Sequence, residues 1–238
     1  MKTNQSLPPL RALPRVFVPG ADPNGPIELP SDEVDKIRKV LRLSPGAIIG
    51  VLPDDGSIVR CDVQNKVAIP IDVHWPNVEA SLKLTIAQSL PKGEKLDEIV
   101  RACTEIGAAE FILFTSERTV VKWDEKKIAE RLRRLQVIAR EACEMSFRTR
   151  LPVFSWAGGL KQVLADRPNA IVLSEVEGES KPLVANGTET TVVVGPEGGW
   201  APREVQMIGD RGVTLGPRVL RVDHAAPSAA AILLLSRP

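Results

Sequence analysis

The sequence predicts an α/β protein in two parts: a small β-rich N-terminal domain, then a larger domain built on a mostly parallel sheet. Three observations predict it. Up to about residue 75, short β-branched runs alternate with turn signals and are interrupted by one helical pattern. From residue 82, strand patterns alternate with helical ones. These later strands are almost continuously apolar, as strands covered on both faces must be.

In the first part, RVFV (15–18) predicts a strand and ADPNGP a turn. SDEVDKIRKVLRL predicts a helix with Ser31 as N-cap and Val34, Ile37, Val40 and Leu41 on its apolar face. AIIGVLPDDGSIVRCDVQNKVAIPIDVHW predicts strands separated by turns at DDG and QNK. Together these suggest a small barrel or sandwich carrying one helix. WPNVEAS (75–81) reads as a linker, giving domains of 1–76 and 82–238.

In the second part, LKLTIAQSL predicts a strand. GEKLDEIVRACTEIGA predicts a helix burying Leu96, Ile99, Val100, Cys103 and Ile106 and ending at Gly107. EFILFTSE predicts a strand, followed by a long helix from Asp124 with Ile128, Leu132, Leu135, Ile138 and Ala142 on one face. AIVLSE (170–175), TTVVVG (190–195) and VTLG (213–216) predict strands, and PREVQMIGDRG a short helix with Pro202 at its first position. AAPSAAAILLLS closes the pattern as a buried helix. Ligands in such sheets sit at the carboxyl ends of strands. Here those ends carry SEVEG, GPEGG and GPRVLR.

Several function classes are excluded or left without support. The three cysteines, Cys61, Cys103 and Cys143, are too far apart for a CxxC site and odd in number, which argues against a disulfide framework. With only His74 and His224 besides, no metal site assembles at familiar spacing. The N-terminus lacks the uninterrupted apolar core of a signal peptide, and no apolar run reaches membrane-spanning length. The expectation is a cytoplasmic protein with no membrane partner. The net charge of +1 leaves a nucleic-acid partner open, since that needs a basic patch and not a basic total.

The stretch VVVGPEGGW is the most informative. It fits neither GxGxxG nor GxxxxGK[ST], and Glu197 at its centre would repel a pyrophosphate. LGPRVLRVDHAAP (215–227) again sets Gly-Pro after a strand. Two such turns can face one pocket, their backbone groups reading an adenine edge while Val219 and Leu220 sandwich its ring. The blander readings are a strand-to-helix turn with Glu197 at a helix N-terminus, and surface ion pairs for Arg218 and Arg221.

VVVGPEGGW followed by LGPRVLRVDHAA resembles the RsmE family, the 16S ribosomal RNA uracil-N3 methyltransferases of the SPOUT superfamily. PRVFV, KVLRLSPG, KGEKLDEIVRACTEIGAAEFILFTSERTVVK and REACEMSFRTRLP agree with that family's blocks in order, across nearly the whole chain. The resemblance implies an N-terminal PUA-like RNA-binding barrel. It also implies a C-terminal methyltransferase domain with a deep trefoil knot, S-adenosylmethionine as cofactor, a homodimer, and 16S rRNA or the small ribosomal subunit as partner. Carried over by position, Leu173, Gly195, Glu197, Gly198, Leu215, Gly216, Val219, Leu220 and Arg221 would bind the cofactor. Arg118 and Arg148 would be catalytic. Arg15, Lys39 and Arg42 would contact RNA, and Arg150, a basic residue with few obvious ion-pair partners, is a further candidate phosphate contact. The chain departs from the family's usual EQxGR and LRTETA at Met145, Phe147, Asp223 and His224, and Pro227 interrupts the start of the last helix.

Uracil N3 must lose its proton before it attacks a methyl group. A cation beside O2 or O4 would favour the anion, a role open to Arg118 or Arg148. His224 titrates near neutrality but is more simply an exposed or capping residue. Glu197 has two competing roles, contact with the sulfonium or a helix cap. The rival functions are methylation at another RNA position, including ribose 2′-O, and RNA binding without catalysis.

Overall fold

The structure, a computed structural model, describes residues 7–175, 181–185 and 187–235. Of the strand-end segment SEVEG, residues 176–178 lie outside the described residues. The chain forms two compact units. The first comprises Met1–Glu79 and Cys143–Leu151, the second Ala80–Ala142 and Pro152–Pro238. The sequence reading assigned 143–151 to the second domain, because nothing in its pattern marks a return to the first.

The first unit holds a five-stranded sheet of β1 (Arg15–Phe17), β2 (Ile27–Glu28), β3 (Ile48–Leu52), β4 (Ile58–Gln64) and β5 (Val67–His74), in the order β1-β3-β4-β5-β2. β1 runs parallel to β3, and the other pairs are antiparallel. Val16, Ile49, Val51, Val59 and Cys61 form its core with Val34 and Ile37 of the helical segment.

That segment differs from expectation in two ways. Helix α1 (Ser31–Asp35) starts after Pro30, which is the N-cap; Ser31 is already helical and its side chain caps nothing. The continuation, Lys36–Val40, is a π-helical turn in which the Leu41 N–H donates to the Lys36 carbonyl at 2.9 Å. An i→i+5 turn rotates the following side chains out of the 3.6-residue phase. Val40, expected on the apolar face, is therefore 72% exposed.

The 143–151 segment completes a second core in this unit, where Cys143 and Phe147 pack with Phe17, Leu52 and Ile58. Glu79 holds it by accepting from Arg148 Nη2 at 2.8 Å, Arg148 Nε at 3.0 Å and the Thr149 N–H at 2.8 Å. Asp54 accepts from the Leu151 N–H at 2.7 Å. Glu144 is buried, pairs with Lys36 and accepts from the Phe17 N–H at 3.2 Å.

The second unit is an α/β layer structure. Its strands are β6 (Lys83–Ser89), β7 (Glu110–Thr115), β8 (Val153–Gly159), β9 (Ile171–Leu173), β10 (Lys181–Pro182), β11 (Glu189–Val194) and β12 (Gly212–Thr214). They form one sheet of order β10-β12-β9-β11-β6-β7-β8, parallel throughout. The helices are α2 (Lys95–Ile106), α3 (Glu125–Ser146, its last turn within the first unit), α4 (Leu160–Asp166), α5 (Pro202–Ile208) and α6 (Val222–Leu234).

Both faces of this sheet are buried, which is why FILF of β7 and VVV of β11 are apolar without alternation. Leu84, Ile86, Leu113, Val192 and Val194 meet α2, α3 and α6 on one face. Ala87, Ile112, Phe114, Val172 and Val193 meet α4, Trp200 and Ile208 on the other. α2 ends at Gly107, whose φ of 119° is the left-handed cap a glycine favours. The helix expected from Asp124 begins one residue later, and the Asp124 side chain accepts from the Lys127 N–H at 2.8 Å and caps α3.

Strand β8 and helix α4 were not expected. VFSWAGG has few β-branched residues, and LKQVLAD is too short to display a period. Helix α6 begins at Val222, so Pro227 stands inside it and not at its start.

Candidate active site

Strands β12, β9 and β11 are neighbours in the sheet, and the loops after them converge on a cavity of about 570 Å³. Leu173, Ser174 and Glu175 come from the first loop. Gly195, Pro196, Glu197, Gly199 and Trp200 come from the glycine loop. Leu215, Arg218, Val219, Leu220 and Arg221 come from the loop into α6. Val194, Val213, Val222 and Ala225 add apolar wall, and Lys95 enters from the start of α2. The volume suits a ligand of cofactor size.

Of the residues expected to bind a cofactor, Leu173, Gly195, Glu197, Leu215, Val219, Leu220 and Arg221 line this cavity. Gly198 and Gly216 are not among the lining residues. The Gly198 carbonyl accepts from Arg118 Nη1 at 2.8 Å. Gly216, at a φ of 124°, donates its N–H to Thr214 Oγ1 at 3.2 Å and so closes the turn after β12. Lys95, Glu175 and Trp200 were missed as lining residues, although each stands in a block already singled out: KGEK, SEVEG and GPEGGW.

Gly195 has a reason to be glycine that the sequence did not suggest. A Cβ there would meet Trp200 Cε2 at 3.0 Å. The indole cannot retreat freely, because its Nε1 donates to the Leu173 carbonyl at 2.9 Å and its ring stacks on Phe114 with centroids 6.4 Å apart. The small residue makes room for Trp200, which ties the β9 and β11 loops together.

Glu197 does not cap α5, the helix behind it. Its Oε1 accepts from Lys95 Nζ at 2.7 Å and from the Lys92 N–H at 3.0 Å. Partial burial pushes its pKa up, but these hydrogen bonds outweigh that and hold the carboxyl below its usual range. The cap of α5 is Glu204, whose Oε2 accepts from the Ala201 N–H at 2.9 Å while Oε1 accepts from the Glu117 N–H at 3.0 Å. Arg221 is also paired, with Nη2 2.9 Å from Asp223 Oδ2. Asp223 thus supplies this arginine with a partner at the start of α6.

Arg118 is exposed and sits against the glycine loop, with its Cβ 3.3 Å from where a Gly198 Cβ would stand. Arg148 lies in the first unit, 4% exposed and bound by Glu79. The residues expected to meet RNA all belong to the first unit. Arg15 is engaged with the Glu144 carbonyl at 2.6 Å and stacks on Phe147. Lys39 pairs with Asp35 at 2.8 Å, and Arg150 donates to the Asp55 carbonyl. Arg42 is exposed in a left-handed conformation with a φ of 53°. His224 is exposed at the start of α6. All three cysteines are free and buried, and burial pushes the Cys61 and Cys143 thiols up to about 12. No helix among the described residues is long and apolar enough to cross a membrane, and no group of three or more His, Cys, Asp or Glu there is arranged to hold a metal ion.

The family described as RNA methyltransferase domain matches residues 78–234. The ribosomal RNA small subunit methyltransferase E of Bacillus subtilis is 35% identical over 215 residues, covering 82% of this chain and 84% of that protein. The protein of the same name from Synechocystis is 31% identical, covering 86% of this chain and 71% of its own length. Among solved structures, a Legionella pneumophila methyltransferase in complex with S-adenosylmethionine superimposes with a TM-score of 0.86 at 26% identity, covering 94% of this chain and 98% of that one. The ribosomal RNA small subunit methyltransferase E of Neisseria gonorrhoeae, also bound to S-adenosylmethionine, gives 0.82 at 26% identity, covering 92% and 96%. With a cavity built at three parallel strand ends and this agreement over most of its length, the chain belongs to the ribosomal RNA small subunit methyltransferase E family.

Proposed function

We propose that this protein uses S-adenosylmethionine to methylate N3 of a uridine in the 16S ribosomal RNA of the small subunit. The observation that carries the reading is the cavity at the ends of β9, β11 and β12, in a chain whose relatives are named small-subunit ribosomal RNA methyltransferases. The residues present fit the cofactor. Leu173, Leu215, Val219 and Leu220 offer apolar surface for an adenine ring, and the strand-end backbone offers hydrogen bonds to its edge. Glu175 in the lining suits a ligand that carries positive charge.

When bound, S-adenosylmethionine supplies a methyl group made electrophilic by its sulfonium. The chain's own task is to align the acceptor nitrogen, exclude water and stabilise the uracil anion. Arg118 is suited to the last role, since its guanidinium is fixed on the glycine loop and remains exposed to an incoming base. Arg148 is read as a positioning residue that orders the 148–150 turn through Glu79. The five-stranded first unit is read as a PUA-like RNA-binding barrel over 1–76. The parallel-sheet unit is read as the SPOUT domain over 82–238, with a trefoil knot and a homodimer, acting in the cytoplasm. Lys39, Arg42 and Arg150 keep exposed positive charge suited to phosphate contacts, which would make binding fall steeply with salt.

The test is a deletion strain. N3 methylation blocks Watson–Crick pairing and arrests reverse transcriptase, so the arrest in 16S rRNA must vanish on deletion and return with the wild-type gene. Persistence of the arrest overturns the assignment. With purified protein, Arg118→Ala should keep cofactor affinity within about twofold while lowering turnover by roughly 100-fold, the scale of one lost transition-state donor.

A further inference from the structure

The cavity is lined by five charged side chains: Lys95, Glu175, Glu197, Arg218 and Arg221. Three of them are already neutralised within the protein. Lys95 and Glu197 pair with each other at 2.7 Å, and Arg221 pairs with Asp223 at 2.9 Å. Among the described residues, neither Glu175 nor Arg218 has a side-chain hydrogen bond or an ion pair, although both stand at this cavity. Both are exposed, whereas Val194, Val213, Val222 and Trp200 are buried in the wall. The cavity therefore has an apolar interior and a rim carrying one unused anion and one unused cation.

Resting on the cofactor reading above, we propose that this rim reads the amino-acid end of the methyl donor: Glu175 receives its ammonium group and Arg218 its carboxylate. A zwitterion presents opposite charges on adjacent groups, and the two unpaired side chains offer their complements from different loops, after β9 and after β12. Arginine suits the carboxylate, because its planar fork can donate two parallel N–H bonds to the two oxygens. The carboxylate of Glu175 can accept from an ammonium, which has only donors. Glu197 and Arg221 have the same charges but are occupied by Lys95 and Asp223, so they hold loops in place.

S-Adenosylhomocysteine and two of its analogues, one lacking the carboxylate and one lacking the amino group, test this by calorimetric affinity. Wild-type protein should prefer the parent ligand over either analogue by roughly tenfold, the low end for a charge-assisted hydrogen bond at an exposed position. Arg218→Gln should abolish the preference for the carboxylate and keep that for the amino group. Glu175→Gln should do the reverse. Arg218→Lys should keep part of the carboxylate preference. The assignment is overturned if each variant weakens all three ligands alike, or if neither changes any preference. If the wild-type protein binds S-adenosylmethionine while lacking both preferences, the cofactor reading stands and this assignment fails. If it binds none of these ligands, the cofactor reading itself fails.

Discussion

Phe147 shows how one residue can depart from its family's pattern and still be satisfied. It has a φ of 64°, a region where a side chain is strained, yet it is 7% exposed in the second core of its unit. Arg11 and Arg15 both lie over its ring, 5.2 Å from the centroid. Burial of the ring and two cation–π contacts offset a backbone cost of about 1 kcal/mol. Phe147→Gly should then cost about 3 kcal/mol and Phe147→Ala about 1 kcal/mol more, because alanine loses the ring and keeps the strain. Urea midpoints decide it; a more stable glycine variant would show that strain dominates. Gly195→Ala should destabilise by about 1–3 kcal/mol through Trp200 and shift its fluorescence. For Glu197 the folded pKa is depressed, so the stability it contributes is present above the ordinary carboxylate pKa and is lost as pH falls through the folded value. The stability gap between wild type and Glu197→Gln should be flat above about pH 5 and close at more acid pH. A gap that instead opened as pH rose through 7 would contradict the Lys95 pairing.

Among elements, the parallel strands were the most legible, because a strand buried on both faces carries apolar residues without alternation, as FILF does in β7 and VVV in β11, although β6 also buries Thr85, Gln88 and Ser89. Helices α2 and α3 were legible from their periods, and α2 also from its C-terminal Gly107. Strand β8 was not, since an edge strand needs no continuous apolar run, nor was the π-helical turn, whose phase shift leaves no mark in composition. At the site, the glycine loop was legible as a ligand loop from its strand-to-turn position. What the sequence could not reveal was pairing: that Glu197 would meet Lys95, Arg221 would meet Asp223, and Arg148 would meet Glu79. These partners are brought together by loops and helix ends whose geometry no spacing rule specifies. The Glu79 clamp permits a direct test. Glu79→Ala removes the carboxylate that Arg148, Thr149 and Arg150 share and should cost about 3 kcal/mol, with faster hydrogen exchange at the Thr149 and Arg150 amides. Unchanged exchange there would mean that the segment is held by its apolar contacts alone.

For the whole molecule, ligand linkage gives the broadest prediction. If S-adenosylmethionine binds only the folded state, saturation at 100 times its dissociation constant should add about 2.7 kcal/mol, seen as a raised melting temperature. An unshifted melting temperature at that ratio would contradict the binding stoichiometry or the site. The division of the chain into 1–79 with 143–151, and 80–142 with 152–238, has a further consequence. A ribosome making this protein releases Phe17, Leu52 and Ile58 long before Cys143 and Phe147, the side chains that cover them. During that interval the early part of the nascent chain has an unfinished apolar surface, and Lys36 and Arg15 still lack Glu144. A recombinant fragment stopped at Glu79 would be caught permanently in that state. It should aggregate where the full chain does not, and a synthetic peptide of residues 143–151 added in trans should restore its solubility.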